Sequence, residues 1–309
     1  MSIPKVSVLM SAYNAWPYLP EAVESVLAQS FSDFEFIIID DGSTDEGAVY
    51  LDSILDPRVK VIHQANKGLG KALNKWLRSC KGEYIMRVDA DDRCSPRKME
   101  EQLEYLRGNR DVIMVGTQIR FFADNNVLPD ISKLPMSNDA IVRGMRKGWH
   151  TMCHATVMFR KVLLDEIEGY VVTGAGEDWA FILDASAHGK LANLGEELYY
   201  VRMHSSSTAW RNSTRIIAGL RYAMERAEMQ GKGSDYPFEL FMEKWNKQGP
   251  LARLNVNMKG LSQVLHRQAV VKKLQGHRFS SLWYLAGAAL LDMNRTSGAV
   301  LKRLGRHTG

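Results

Sequence analysis

Cysteine is scarce in this 309-residue chain: Cys80, Cys94 and Cys153 are odd in number, far apart and in no C-x-x-C pair. That pattern excludes a disulfide framework and a zinc knuckle, and it fits a reducing, cytoplasmic compartment. A basic stretch followed by an apolar run and a small-residue cleavage site is also missing, because Val6 to Met10 is only of strand length. No export signal is expected. No window reaches the roughly 18 uncharged apolar residues that a membrane-spanning helix needs, the nearest being Phe279 to Leu291, so the chain is not expected to cross a bilayer. No Gly-x-Gly-x-x-Gly follows the first apolar run, and Gly68-Leu-Gly-Lys-Ala lacks both the spacing and the Ser or Thr of a phosphate-cradling P-loop. Dehydrogenase and ATPase readings lose support. His150-Thr-Met-Cys-His154 has no adjacent Glu and runs into a β-branched segment, which argues against a zinc helix. There is no internal repeat.

What is present is a hydrophobic fraction of 45%, enough to bury a large core with smaller elements appended. The net charge of +5 is unevenly spread. Residues 210 to 309 hold 17 Lys and Arg against 6 Asp and Glu, a balance of +11 that leaves the first 209 residues at −6. Such a tail suits an anionic lipid surface, nucleic acid or a solvated helical face.

Along the chain, Lys5 to Met10, Phe34 to Ile39, Val59 to His63 and Tyr84 to Val88 are short apolar runs. They alternate with helical spacing over Pro20 to Gln29, Gly47 to Leu55 and Gly68 to Ser79. Strands that read as continuous apolar runs between helices predict an α/β fold whose parallel sheet is covered on both faces. Ligands of such sheets gather at the carboxyl ends of the strands. The polar clusters Ser11 to Asn14, Asp40 to Asp45, Asn66 to Gly68 and Asp89 to Asp92 all fall at that edge or just beyond it. From about Val112 longer strands follow, Val112 to Phe122 and Thr156 to Phe159, with irregular connections that predict an acceptor cleft. After Ser207 the chain reads helical over Ile216 to Met229, Phe238 to Asn246, Leu251 to Leu274 and Leu282 to Met293.

Three groups of residues carry chemistry. Val88-Asp-Ala-Asp-Asp92 ends a buried strand, and carboxylates gathered there call for a neutralising cation. Read as an extended segment, it puts Asp89 and Asp91 on one side, where both reach a single Mn2+ or Mg2+. The alternative is a cap for a helix starting near Pro96. Gly176-Glu177-Asp178-Trp179 opens a helical stretch, where acidic residues favour the helix dipole whatever their function; Asp178 is a candidate general base. Arg202-Met-His204 and the serines at 205 to 207 follow a strand at Leu198 to Val201, and this cation and imidazole suit a diphosphate and its metal.

Taken together, KVSVLMSAYN, SVLAQSFSDFEFIIIDDGSTD, NKGLGKALN, VDADD, GED and YVRMHSSS resemble, in content and order, the family 2 glycosyltransferases over roughly residues 4 to 208. The resemblance implies a GT-A fold spanning residues 1–208, with a nucleotide-sugar-binding half (1–110) and an acceptor half (111–208), followed by a basic helical region (209–309). It implies an inverting transfer from a nucleotide sugar, typically a UDP-sugar, to a hydroxyl of a glycan or lipid-linked glycan in bacterial surface-glycan assembly. Ser11, Tyr13, Asp41, Asn66, Gly68, Asp89, Ala90 and Arg202 would hold the donor. Asp91, Asp89 and His204 would hold the metal, and Asp178 would be the base. Glu177, Trp179 and His154 are assigned to the acceptor side. The Gln-x-x-Arg-Trp signature of processive synthases is missing, which implies single or few additions. The basic helices and Phe279 to Leu291 suggest peripheral contact at the inner face of the plasma membrane, with no nucleic-acid partner. The alternatives are packing of these helices on the catalytic domain or an oligomer interface. For the whole chain, the rivals are a sugar nucleotidyltransferase, which leaves GED and YVRMH unused, and a non-catalytic nucleotide-sugar-binding subunit.

Overall fold

In the computed structural model, which describes residues 3–123, 126–204, 213–274 and 276–291, the apolar runs become adjacent strands. β1 (Val6–Ala12), β2 (Phe34–Asp40), β3 (Val59–His63) and β4 (Tyr84–Asp89) lie in the order β3-β2-β1-β4, all parallel. Their period-2 alternation supplies two cores, one on each face of the sheet. Val6, Val8, Met10, Phe36, Ile38 and Met86 face α1 (Leu19–Leu27) and α4 (Lys98–Gly108). Leu9, Ile37, Ile39 and Ile85 face α3 (Leu69–Leu77) and α7 (Glu177–Ala185). α1 shows why such helices form: Leu19, Ala22, Val23 and Val26 fall on one stripe and are all buried. The short α2 (Gly47–Asp52) follows β2.

Beyond β4 the sheet turns mixed. β8 (Met158–Arg160) pairs antiparallel with β4, and β6 (Val112–Ala123) lies antiparallel to β8. β9 (Lys190–Arg202) runs parallel to β6. The two-residue β5 (Arg93–Cys94) pairs with β9, and β7 (Asn126–Ile131) pairs with β6, giving nine strands among the described residues. α5 (Asn138–Arg146) and α6 (Leu163–Glu166) lie in the irregular connections, and a 3₁₀ turn, His154–Thr156, leads into β8.

The C-terminal helices are α8 (Ser213–Gln230), α9 (Phe238–Asn246), α10 (Pro250–Leu274) and α11 (Arg278–Leu291). Ala223 of α8 is buried in the same core as Trp179, Phe181 and Leu183 of α7. The Ser262 hydroxyl of α10 donates to the Ala288 carbonyl at 2.9 Å, and Ser281 of α11 donates to the Ala269 carbonyl at 2.7 Å, which join these two helices through buried hydroxyls. Among the described residues no helix is long and apolar enough to cross a membrane.

Candidate active site

The strand register assembles the first half of the site. Ser11 at the end of β1 sits between Ile39 of β2 and Asp89 of β4, and Asp40 sits between Ala12 and His63. Four strand ends thus deliver their polar residues to one edge. Asp41 is buried there, and its carboxylate accepts from Gln64 Nε2 at 2.7 Å, Lys67 N at 3.0 Å and Gly68 N at 2.8 Å. Of the four acceptor positions on a carboxylate, three are filled: two by amides of the Asn66–Gly68 loop and one by the Gln64 side chain. Gly68 takes φ +83°, a left-handed value suited to glycine, at the N-cap of α3. Asn14, with φ +49°, accepts from Thr44 N at 2.8 Å and ties the loop after β1 to the loop after β2. Tyr13 and Asn66 project to solvent at the mouth.

The acidic cluster follows β4. The strand ends at Asp89, and Ala90 and Asp91 form a turn. The expected extended alternation therefore stops at Asp89, and the turn brings in Asp92 as a third carboxylate. Oxygens of Asp89, Asp91 and Asp92 lie within 4.8 Å of one another. Three hard oxygen donors at that separation suit a divalent cation. Burial pushes the Asp92 carboxyl well above the usual carboxylate range, with the charges of Asp91 and Asp89 adding. Asp89 is raised too, first by burial and then by Asp91 and Asp178, against the opposing pull of Arg87. Both shifts indicate a site that favours added positive charge. Arg87 is itself buried beneath the cluster, with Nη2 at 2.5 Å from Asp89 Oδ1. Tyr199 Oη accepts from Asp89 N at 2.9 Å, fixing the strand end.

Arg202 and His204 close the cluster from β9. Arg202 N donates to Asp92 Oδ1 at 2.8 Å, its Nε donates to the Asp91 carbonyl at 2.8 Å, and its Nη2 pairs with Glu21 of α1. The buried guanidinium also stacks 4.3 Å from the Phe122 ring centre, opposite Arg93 at 3.9 Å. Arg202 thus clamps the acidic turn, and its exposure to a diphosphate is small. His204 Nε2 lies 2.8 Å from Asp91 Oδ2, and its ring centre lies 4.7 Å from that of Tyr18, tilted by 46°. The serines at 205 to 207 lie outside the described residues.

The GED segment forms a further wall, packed against the start of α3. Gly176 takes φ +75° and caps the start of α7, which delivers Asp178 partly exposed and, among the described residues, without a hydrogen-bond or ion-pair partner. Its charge contributes to the upward shifts of Asp89 and Tyr170, so it stands near the acidic cluster. The three acceptor-side expectations lie behind this wall. Glu177 is 8% exposed, Trp179 5% and His154 7%. Glu177 accepts from Gly174 N at 2.9 Å and packs where a Cβ on Gly70 would stand 2.8 Å from its Cδ. His154 Nε2 meets Tyr170 Oη at 2.8 Å, and burial, helped by the Arg87 charge, pushes its pKa well down, so the ring stays neutral.

Sequence reasoning placed Asp92 in the acidic motif but not among the metal ligands, and it left out Arg87, Tyr199 and Glu21. Only Asp92 carried a signal, its adjacency to the named pair; the others read as ordinary strand or helix residues.

Residues Ser7 to Glu168 match the model of Glycosyl transferase family 2. The chain is 34% identical over 229 residues to EpsE of Bacillus subtilis, covering 69% of this chain and 78% of that one. It is 34% identical over 209 residues to the O-antigen biosynthesis glycosyltransferase WbnJ of Escherichia coli, covering 66% and 81%. Among solved structures, S. aureus TarS 1–349 in complex with UDP-GlcNAc superposes with a TM-score of 0.63 at 15% identity, covering 93% of this chain and 91% of that one. The mannosyltransferase PcManGT of Pyrobaculum calidifontis, in complex with GDP-Man and Mn2+, gives a TM-score of 0.54 at 16% identity, covering 98% and 80%. These two likenesses establish the fold, GT-A.

Proposed function

The chain belongs to the family 2 glycosyltransferases, and from that premise we propose that it transfers a sugar, with inversion, from a UDP-sugar to a hydroxyl of a glycan or lipid-linked glycan. The setting we propose is bacterial surface-glycan assembly, supported by the likeness to an O-antigen enzyme. The sugar-nucleotidyltransferase alternative has no support from the family match.

One observation carries the reading: Asp178, a partly exposed carboxylate without a hydrogen-bond partner among the described residues, lies within electrostatic reach of the cluster of three carboxylates at the edge where the strand ends collect. Asp178 takes the proton from the acceptor hydroxyl. The acceptor oxygen then forms its bond to the anomeric carbon while the bond from that carbon to the diphosphate oxygen breaks, and the nucleoside diphosphate leaves with the electron pair. Attack and departure on opposite faces invert the centre. Ser11, Tyr13, Asp41, Asn66 and Gly68 hold the nucleoside, and Ala90 lines the donor between Asp89 and Asp91. Asp91 and Asp89, with His204, hold Mn2+ or Mg2+, which when bound supplies positive charge to the leaving diphosphate. Arg202 keeps the acidic turn in place. Glu177, Trp179 and His154 shape the acceptor wall from behind.

The test is transfer from a panel of nucleotide sugars, with Mn2+, with Mg2+ and with excess chelator, by wild type and Asp178→Asn. Turnover of the variant should fall about 10²-fold or more while UDP affinity scarcely changes, as expected for loss of a general base. Near-normal turnover, or a wild-type product that keeps the donor's anomeric configuration, overturns the assignment. Full activity in chelator overturns the metal.

A further inference from the structure

Glycine in the interior of a helix is destabilising relative to alanine, so Gly219, in the middle of α8, calls for a packing reason. The reason lies at the turn that carries Asp178. A Cβ on Gly219 would overlap the Ala175 carbonyl oxygen and stand 2.5 Å from its carbon and 3.0 Å from Gly176 N. Reciprocally, a Cβ on Gly176 would stand 2.5 Å from the Gly219 carbonyl carbon and 2.8 Å from Leu220 N. The backbone of the turn rests directly on the backbone of the helix, and only two glycines allow that approach. One helical turn earlier, Arg215 lies on the same face, as residues four apart do. Its guanidinium covers Gly174, where a Cβ would stand 2.8 Å from Cζ. The other side of the segment is held by α3, where Gly70 makes room for the Glu177 carboxylate. Further along, Arg226 of α8 pairs with Asp184 of α7, so the two helices are also tied beyond the turn.

Among the described residues Asp178 has no hydrogen bond to orient its side chain, so its position is inherited from the turn's backbone. We propose that α8 is part of the catalytic apparatus, with Gly219 and Arg215 as positioning residues that set where the Asp178 carboxylate stands. This rests on the reading of Asp178 as the base. A shift of about 1 Å in a reacting group costs about 10²-fold in rate, so a methyl group forced between helix and turn should be felt in turnover and not in donor binding.

The experiment uses the full chain carrying Gly219→Ala, Arg215→Met, Asp178→Asn, or Gly219→Ala together with Asp178→Asn. It measures kcat, donor KM, UDP affinity and melting temperature. Gly219→Ala should lower kcat about tenfold or more with donor KM and UDP affinity held. Arg215→Met, at an exposed position, should fold normally and lower kcat severalfold. The double variant should be no slower than Asp178→Asn alone, because a misplaced base and an absent base are lost only once. Folded Gly219→Ala and Arg215→Met proteins with wild-type kcat overturn the proposal. So does a double variant slowed by the full factor that Gly219→Ala imposes on wild type. If Gly219→Ala fails to fold, Arg215→Met decides, and a wild-type rate for it counts against the role of α8. Near-normal turnover of Asp178→Asn brings down the base assignment instead, so the two failures are told apart.

Discussion

Lys98, on α4, is completely buried, and its Nζ lies 5.5 Å from the Tyr199 ring centre without a hydrogen-bond partner among the described residues. Burial pushes its pKa from 10.5 down to about 8, and the Arg87 charge pushes the same way. Between those two values the unfolded chain holds a proton that the folded protein has released, so stability rises with pH across that window. Burying the protonated amine costs on the order of 3 kcal/mol below pH about 8, a cost relieved by pH 10.5. Lys98→Met should therefore be more stable than wild type at pH 7, with the gap closing toward pH 10. Chemical denaturation of both proteins from pH 7 to 10 checks it; parallel stability curves would show that Lys98 does not titrate in the window. At this scale the sequence reveals charges that sit at strand ends, such as Asp41, Asp89 and Asp91, because the parallel-sheet pattern says which edge they share. It hides charges that point inward. Arg87 and Lys98 sit in strand and helix segments whose local pattern is the same whether a cation faces water or the interior.

The four parallel strands and most helices were legible as elements because each is buried by its own period, 2 or 3.6. β3 begins and ends where its apolar run does, and α9 spans the predicted Phe238–Asn246. α5 and the first half of β9 were not legible. Asn138–Arg146 buries only Ile141, Gly144 and Met145, and β9 opens on a weakly apolar Lys190-Leu-Ala-Asn whose partner, β6, lies far away in sequence. Loop contacts were the least legible, since they depend on backbone approach. Gly42 is one such contact, with φ +81° and a would-be Cβ 2.8 Å from Asn66 N. Gly42→Ala should displace the loop whose Lys67 and Gly68 amides bond to Asp41. UDP affinity should fall about tenfold, equivalent to about 1.4 kcal/mol, while kcat at saturating donor changes little. Calorimetric titration with UDP measures it, and an unchanged affinity would separate the Asn66–Gly68 loop from donor binding.

For the whole molecule, charge and apolar surface coincide at the C-terminal end. Residues 210 to 309 carry +11, while the remainder is −6. α11 buries Ser281 and Ala288 against α10 and turns Phe279, Leu282, Trp283 and Leu290 outward, with Phe279 86% and Trp283 80% exposed. At 100° per residue these four share one face, opposite the buried pair. An aromatic and leucine stripe on a helix of a basic region has the composition of an element that lies in a bilayer interface. Such an element would bring the site toward a lipid-linked acceptor. Two forces would then add: burial of the stripe, insensitive to salt, and attraction to anionic headgroups, which weakens as salt rises. Phe279→Ser combined with Trp283→Ser removes the first and leaves the second, and because both side chains stand in solvent the fold should survive. The full-length wild type should float with phosphatidylglycerol-containing vesicles, less so with phosphatidylcholine alone, and less as salt is raised. The double variant should lose most of that binding at moderate salt while transferring sugar to a soluble acceptor at the wild-type rate. Equal, negligible flotation of both proteins would leave the stripe to another occupant, a second copy of the chain, and sedimentation of wild type against the variant would then show a change of oligomeric state.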